Sequence, residues 1–201
     1  IEISSITSME KRLQILHQCN IDMSVHPVWK QRGGERAALQ RWQEFLSKGL
    51  SGYARRRNNA ADPYGVSRLS MAIHYGMISV MKIVREAHAV GTKSAEKFLD
   101  ELLIFREHAW HHVYSKEEPY GAHNLPNWAL ESWQDTSDDV RTTLLEREDF
   151  EVGTSPNKLW NLCQTSLYRH GELHNNLRMT GGKATPQWTA SLEESRIIGQ
   201  H

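Results

Sequence analysis

Apolar residues return at three- and four-residue steps through almost the whole chain, and no stretch alternates apolar with polar over strand length with β-branched enrichment. A helix buries one stripe at that spacing, whereas a half-buried strand needs a period of two, so the chain is predicted to be all-α. In GERAALQRWQEFLSKGL, Ala38, Leu39, Trp42, Phe45 and Leu46 share a face while Glu35, Arg36, Gln40, Arg41 and Lys48 share the other. In SAEKFLDELLIFREHAWHHVYS, Ser94 offers an N-cap and Phe98, Leu99, Leu102, Phe105, Ala109 and Val113 line a face, which predicts a long, mostly buried helix. In SPNKLWNLCQTSLYRHG, Ser155 reads as cap, Pro156 as first helical residue and Gly171 as stop. Further helices are expected over 8–19, 79–90, 126–134 and 138–148. Loops are expected over 26–34, 55–65, 117–126, 151–156 and 180–188, each rich in Gly, Pro or Asn.

With 39% hydrophobic residues in 201, there is apolar material for one ordinary core but not comfortably for two. Lys and Arg total 24, as do Asp and Glu, so no whole-molecule field gathers nucleic acid or an anionic membrane, and a polyanion must be met by a local patch. No apolar run is long enough to span a bilayer and no basic-then-apolar leader opens the chain, which reads as soluble, non-exported and cytoplasmic. Cys19 and Cys163 lie far apart without a second Cys or a His at ligand spacing, so both are read as reduced thiols in packing. Seven Trp exceed what a core of this size needs and point to rings that meet a ligand, a partner or one another. The opening Ile1 and the helical start in the closing LEESRIIGQH read as signs of a fragment.

Four stretches could carry chemistry. YARRRNNAADPYGVSRLS runs into a helix start at Ser67, where backbone N–H groups, small hydroxyls and Arg68 suit a phosphate; a capped helix with a solvated basic loop is the bland alternative. Arg55, Arg56 and Arg57, with Arg32, Arg36 and Arg41 upstream, form the one dense basic cluster, able to track a nucleic-acid backbone or to remain solvated surface. Glu101 sits among Leu, Ile and Phe, either as a functional carboxyl or paired with Lys97 one turn back. His108 and His112 have metal-ligand spacing, yet no third ligand and no HExxH accompany them. Finally, His174, Asn175, Asn176, Arg178 and Met179 crowd the segment after Gly171, as a pocket lining or as C-cap chemistry with a loop.

GERAALQRWQEFL, GVSRLSMAIHYGMIS, FLDELLIFREHAW and LWNLCQTSLYRHGELHNNLRM occur in the order and approximate spacing of the FAD-binding helical domain of the photolyase/cryptochrome family. The chain most resembles class II cyclobutane pyrimidine dimer photolyases, whose W-N, Q and G-x-x-H-x-x-x-R-M run fits without a gap, over nearly its whole length. That resemblance implies a linker with a leading helix over 1–32 and the helical FAD-binding domain over 33–201, its carboxyl-terminal part missing. It implies FAD as cofactor and DNA containing pyrimidine dimers as substrate, with light-driven electron transfer splitting the dimer. Position by position, Tyr53 matches a residue holding the FAD phosphates. Val66, Ser67, Arg68, Leu69 and Ser70 match the pyrophosphate loop, with Val66 where many members have Thr, so one hydroxyl is lost. Phe98 matches an aromatic contact to the cofactor and Arg178 the arginine beside the isoalloxazine. Glu101 matches the acid that hydrogen-bonds the flipped dimer, Arg57 an arginine touching DNA, and Phe105 a wall of the lesion pocket. Arg106, His174, Asn175 and Met179 belong to the lining shared by flavin and substrate.

Three departures accompany the resemblance. The family's amino-terminal antenna domain is absent. Trp160 and Trp188 match two tryptophans of the class II electron relay, while a third should fall at Gly181. The Asp and Asn that clasp the isoalloxazine would come after His201, so this chain alone is expected to hold FAD weakly and by its diphosphate end. A cryptochrome-like or degenerate flavoprotein without repair activity is the alternative reading.

Overall fold

A computed structural model describes residues 8–21, 23, 28 and 31–200, and among them every regular element is helical. The first helix, α1 (Met9–Gln18), is capped by Ser8, whose hydroxyl accepts from the Lys11 amide, and buries none of its residues. Parts of the expected 1–32 linker and of the 26–34 loop lie outside the described residues.

The amino-terminal half packs around aromatic rings. α2 (Glu35–Lys48) turns Ala38, Trp42 and Phe45 inward, as its stripe predicts. A 3₁₀ turn (Leu50–Gly52) leads into the short α3 (Tyr53–Arg56), and after the 57–69 loop come α4 (Ser70–His74) and α5 (Val80–Val90). Gly91, at φ 63°, ends α5 in the left-handed conformation that a residue with a Cβ resists. Trp42 is fully buried; it stacks on Phe98 at 5.9 Å, and Phe98 in turn meets Phe45 at 5.3 Å and the edge of Tyr53 at 5.4 Å. The Trp42 indole N–H donates to Glu86 at 2.6 Å, so the one polar atom of the ring is satisfied inside the core.

The long helix begins two residues earlier than Ser94 implies, because Thr92 accepts from the Ala95 amide and serves as cap. It runs as α6 (Lys93–Leu99), a π-helical stretch (Asp100–Phe105) and α7 (Arg106–Ser115). Only its first half is buried: Ala95, Phe98 and Leu102 face the core, whereas Phe105 is 59% exposed and α7 buries nothing. The π stretch explains the difference, since one residue added to a turn rotates the face that follows it away from the core.

The second half is built from α8 (Asn127–Asp135), α9 (Arg147–Val152), α10 (Lys158–His170), α11 (Asn175–Ala184) and α12 (Leu192–Gln200). The helix expected over 138–148 does not form over 138–146, where the Leu145 amide donates to the Trp188 carbonyl at 2.9 Å and so cannot close a helical turn; α9 starts only at Arg147 and runs into the loop expected over 151–156. α10 ends at Gly171 as predicted, at φ 61°, but its cap is Asn157, which accepts from the Leu159 and Trp160 amides; Ser155 instead bonds Asn161. The expected loop after 180 is helical as far as Ala184.

Where composition suggested one core, the described residues form two apolar clusters. One joins α2 through the π stretch; the other gathers Leu145, Phe150 and Trp188, with Trp160, Ala184 and Ile198 against them. Polar contacts bridge the seam between the halves.

Candidate functional site

The seam brings together residues from four separate stretches. Tyr53, from α3, is buried beneath the ring cluster, with its hydroxyl hydrogen-bonded by Arg57 and close to Glu101. Burial most of all, then the negative Glu101, pushes the phenol above its ordinary value, while Arg57 pulls it back. Arg57 reaches Glu101 Oε1 at 2.9 Å, and Lys97 reaches the same oxygen at 3.1 Å. Two cations therefore converge on one oxygen of this carboxylate. The pairing with Lys97 is the bland reading of Glu101, and the structure contains it together with a second, long-range cation.

His174 crosses the seam. Its Nδ1 accepts from the Asn176 amide at 3.2 Å, so in the neutral ring Nε2 carries the proton and donates to the Arg57 carbonyl at 3.0 Å. Asn176 adds a bond from its side-chain amide to the Asn58 carbonyl at 3.2 Å. His174 is thus the N-cap of α11 and, at once, a tie to the turn after α3.

The loop 66–69 approaches from the other side. Helix α4 starts at Ser70, three residues later than the sequence suggests, and has only five residues. Its cap, Leu69, makes no side-chain hydrogen bond. Arg68 has φ 56°, and Leu69 after it is right-handed at φ −94°. A left-handed residue followed by a right-handed one turns successive N–H groups toward one point, the geometry of an anion-accepting concavity. Beside it lies a cavity of about 170 Å³ lined by Arg41, Glu44, Val66, Ser67 and Arg68, among others. The Arg68 guanidinium itself is taken up by Glu172: Nε donates to Oε2 at 2.7 Å and a terminal nitrogen pairs with Oε1.

The remaining expected residues fall in three places. Trp160 and Trp188 meet edge to face at 6.0 Å, with Phe150 against both at 5.6 and 6.3 Å. Trp160 donates to the Gly181 carbonyl at 3.1 Å. Trp160 and Phe150 edge a cavity of about 460 Å³, apolar for the most part, whose lining also includes Arg178, Tyr168 and Cys163. Arg178 donates to Asn175 at 2.8 Å, and Asn175 touches the Met179 sulfur at 3.5 Å, so these three form one surface of α11. Phe105 and Arg106 stand apart on the exposed side of the long helix, with Lys97 over the Phe105 ring and Arg106 over Trp110. Phe98 is a core residue at 5% exposure, held among Trp42, Phe45 and Tyr53.

The arginine triplet is divided. Arg56 makes a forked pair with Asp62 at 2.5 and 2.7 Å, Arg57 is engaged by Glu101, and Arg55 is exposed with no ion pair among the described residues. His108 and His112 do not converge on a third ligand, and no group of three metal-ligating side chains occurs among the described residues. Among them, too, no helix is long and apolar enough to cross a membrane. Sequence reasoning passed over Glu172 and Phe150. Glu172 is the one acid in the SLYRHGELHNN run, and Phe150 the one ring in EREDF, which is the signal each offered.

No family model matches the chain. Curated proteins do. The chain is 31% identical over 169 residues to a deoxyribodipyrimidine photo-lyase of Oryza sativa subsp. japonica, covering 81% of this chain and 33% of that protein. It is 31% identical over 157 residues to the one of Arabidopsis thaliana, covering 77% and 32%, and 28% identical over 178 residues to the one of Potorous tridactylus, covering 87% and 33%. In fold it is similar to a bacterial class III photolyase from Agrobacterium tumefaciens, with a TM-score of 0.60 at 21% identity over 83% of this chain and 37% of that one. The helical architecture is thus that of a photolyase helical domain. By sequence the chain is a relative of the photolyases, and it spans about a third of the length of the curated relatives it matches.

Proposed function

We propose that the chain forms the FAD-binding and dimer-recognising part of a photolyase, most like class II, and that its activity is blue-light-driven repair of cyclobutane pyrimidine dimers in DNA. The observation that carries this reading is the convergence at one seam of Tyr53, Arg57, the 66–70 loop, Glu101 and His174, which come from four distant stretches of sequence. Related sequences named deoxyribodipyrimidine photo-lyase support it.

The residues present fit the cofactor's diphosphate end. The left-handed turn at Arg68 and the small cavity beside it suit an oxyanion, with Ser67 as a hydroxyl donor in the lining; the family resemblance adds Ser70 and Tyr53. When bound, reduced FAD supplies the light-driven electron that splits the dimer. The chain's own part is to orient and to hold charge. Arg57 and Lys97 hold the Glu101 carboxyl in place at the seam, where it accepts a hydrogen bond from a pyrimidine N–H. Phe105, 59% exposed beside them, offers an apolar wall against which a flipped base stacks. Arg178, Asn175 and Met179 line the approach from α11. A cytoplasmic location follows from this role and from two reduced cysteines.

Phosphate contacts position a duplex without reading its bases, and here Arg55 alone of the triplet is free to make one. Arg55→Gln is expected to weaken binding to damaged and intact duplex alike and to lower the salt slope by about one unit. Arg56→Gln is expected to leave the slope unchanged and loosen the Asp62 turn. Titrations at several salt concentrations check both; an unchanged slope for Arg55→Gln returns it to solvated surface.

Gly181 favours a second reading, a flavoprotein without repair, because the expected relay tryptophan is missing there. The helical backbone at 181 tolerates a side chain: a Cβ would meet the Trp160 ring at 3.6 Å, ordinary contact. Gly181→Trp is therefore expected to fold and to speed photoreduction of bound oxidised flavin, read from the absorption spectrum under blue light. Equal rates in both proteins would show that another ring carries the relay. Incubating a dimer-containing oligonucleotide under blue light separates the two readings: dimer loss supports repair, and flavin photochemistry without dimer loss supports the alternative.

A further inference from the structure

We propose that Glu172 is a positioning residue for the anion-accepting turn, acting through Arg68, and that Arg68 serves this turn with its backbone and not with its guanidinium. Among the described residues Arg68 is the one non-glycine with positive φ. A side chain with a Cβ resists that conformation, so something must hold it. Glu172 does: both of its oxygens grip the guanidinium, and Gln31 donates to Oε2 at 2.7 Å, bracing the carboxylate. The carboxylate is itself placed by the helix end, one residue past the left-handed Gly171 and two before the His174 cap. Burial first, and then the nearby Arg41, pull the Arg68 guanidinium below its ordinary value, against a smaller upward pull from Glu44. With the forked cation occupied by Glu172, the turn offers the cavity its backbone and Ser67, with Arg41 and Glu44 also in the lining.

The proposal rests on the FAD reading for its ligand but not for its geometry, and glycine separates the roles because it adopts a left-handed turn without help. FAD affinity of the 201-residue chain is measured by flavin fluorescence for wild type, Arg68→Gly, Arg68→Ala, Glu172→Ala and the Arg68→Gly/Glu172→Ala pair, with urea denaturation alongside. Arg68→Ala and Glu172→Ala are expected to lose about tenfold in affinity, the scale set by one strained turn. Arg68→Gly is expected to stay within about threefold of wild type, and adding Glu172→Ala to it to change nothing further. Equal losses in Arg68→Gly and Arg68→Ala would make the guanidinium the ligand and overturn the proposal. So would Glu172→Ala binding as tightly as wild type. If wild type binds no FAD, the cofactor reading fails by itself, and denaturation decides the strut: Arg68→Gly more stable than Arg68→Ala supports it, and the reverse order or equality overturns it.

Discussion

Glu101→Ala is expected to cut blue-light repair of a dimer-containing oligonucleotide by about 10- to 100-fold while leaving FAD content nearly unchanged. A hydrogen bond to a charged group contributes about 1.5–3 kcal/mol, and each 1.4 kcal/mol is about tenfold. The Glu101 carboxylate is 27% exposed and is paired with Arg57 and Lys97 at Oε1. Removing it also leaves two cations facing each other beside Tyr53. Glu101→Gln separates these effects, because the amide keeps an acceptor oxygen while losing the charge that holds Arg57. Gln is expected to retain more repair than Ala; equal loss of flavin and repair in either variant would make Glu101 a structural residue.

Trp42→Ala is expected to lower the free energy of unfolding by about 3–5 kcal/mol, the usual range for emptying a large aromatic site. Against the roughly 5–15 kcal/mol that holds an ordinary domain together, such a loss brings much of the amino-terminal half near unfolding at ambient temperature. The ring is fully buried, and Phe98 and Phe45, which carry Tyr53, lean on it. Trp42→Phe keeps most of the volume and gives up the Glu86 bond, at a cost of about 1.5–3 kcal/mol. The Glu86 carboxyl is held below its ordinary range first by Lys82 and then by Trp42. Its stabilisation is therefore present above the ordinary glutamate range and fades as the pH falls through the lowered folded value, so the gap between wild type and Trp42→Phe should narrow in acid. Guanidinium denaturation followed by circular dichroism, at neutral and acid pH, checks each part.

How far the sequence reveals this molecule differs between its parts. The stripe of α2 is legible because its buried residues recur at helical spacing and face a single core. The stop at Gly171 is legible because a left-handed C-cap has a residue preference of its own. The long helix misleads, since its apolar stripe continues through Phe105 and Val113 while the π stretch turns that stripe toward solvent, and hydrophobic spacing carries no mark of an added residue in a turn. The segment before α9 misleads for a related reason: its backbone is engaged by Trp188, more than forty residues away. In the site, the four motifs are readable one by one, and their order is what suggests a common ancestor. Their contacts are not readable. Nothing in GELHNNLRM states that Glu172 closes on Arg68 or that His174 reaches the Arg57 carbonyl, because both are set by how two separately packed halves meet.

That meeting has a function only if the 66–70 loop accepts a diphosphate. Titrating FAD into the 201-residue chain by flavin fluorescence, with ADP and riboflavin as competitors, tests this most directly. The account predicts that FAD binds, that ADP displaces it, and that riboflavin, which has the ring system but no phosphate, does not. Displacement by riboflavin but not by ADP would put the binding energy at the ring end and contradict the placement of the diphosphate at the Arg68 turn.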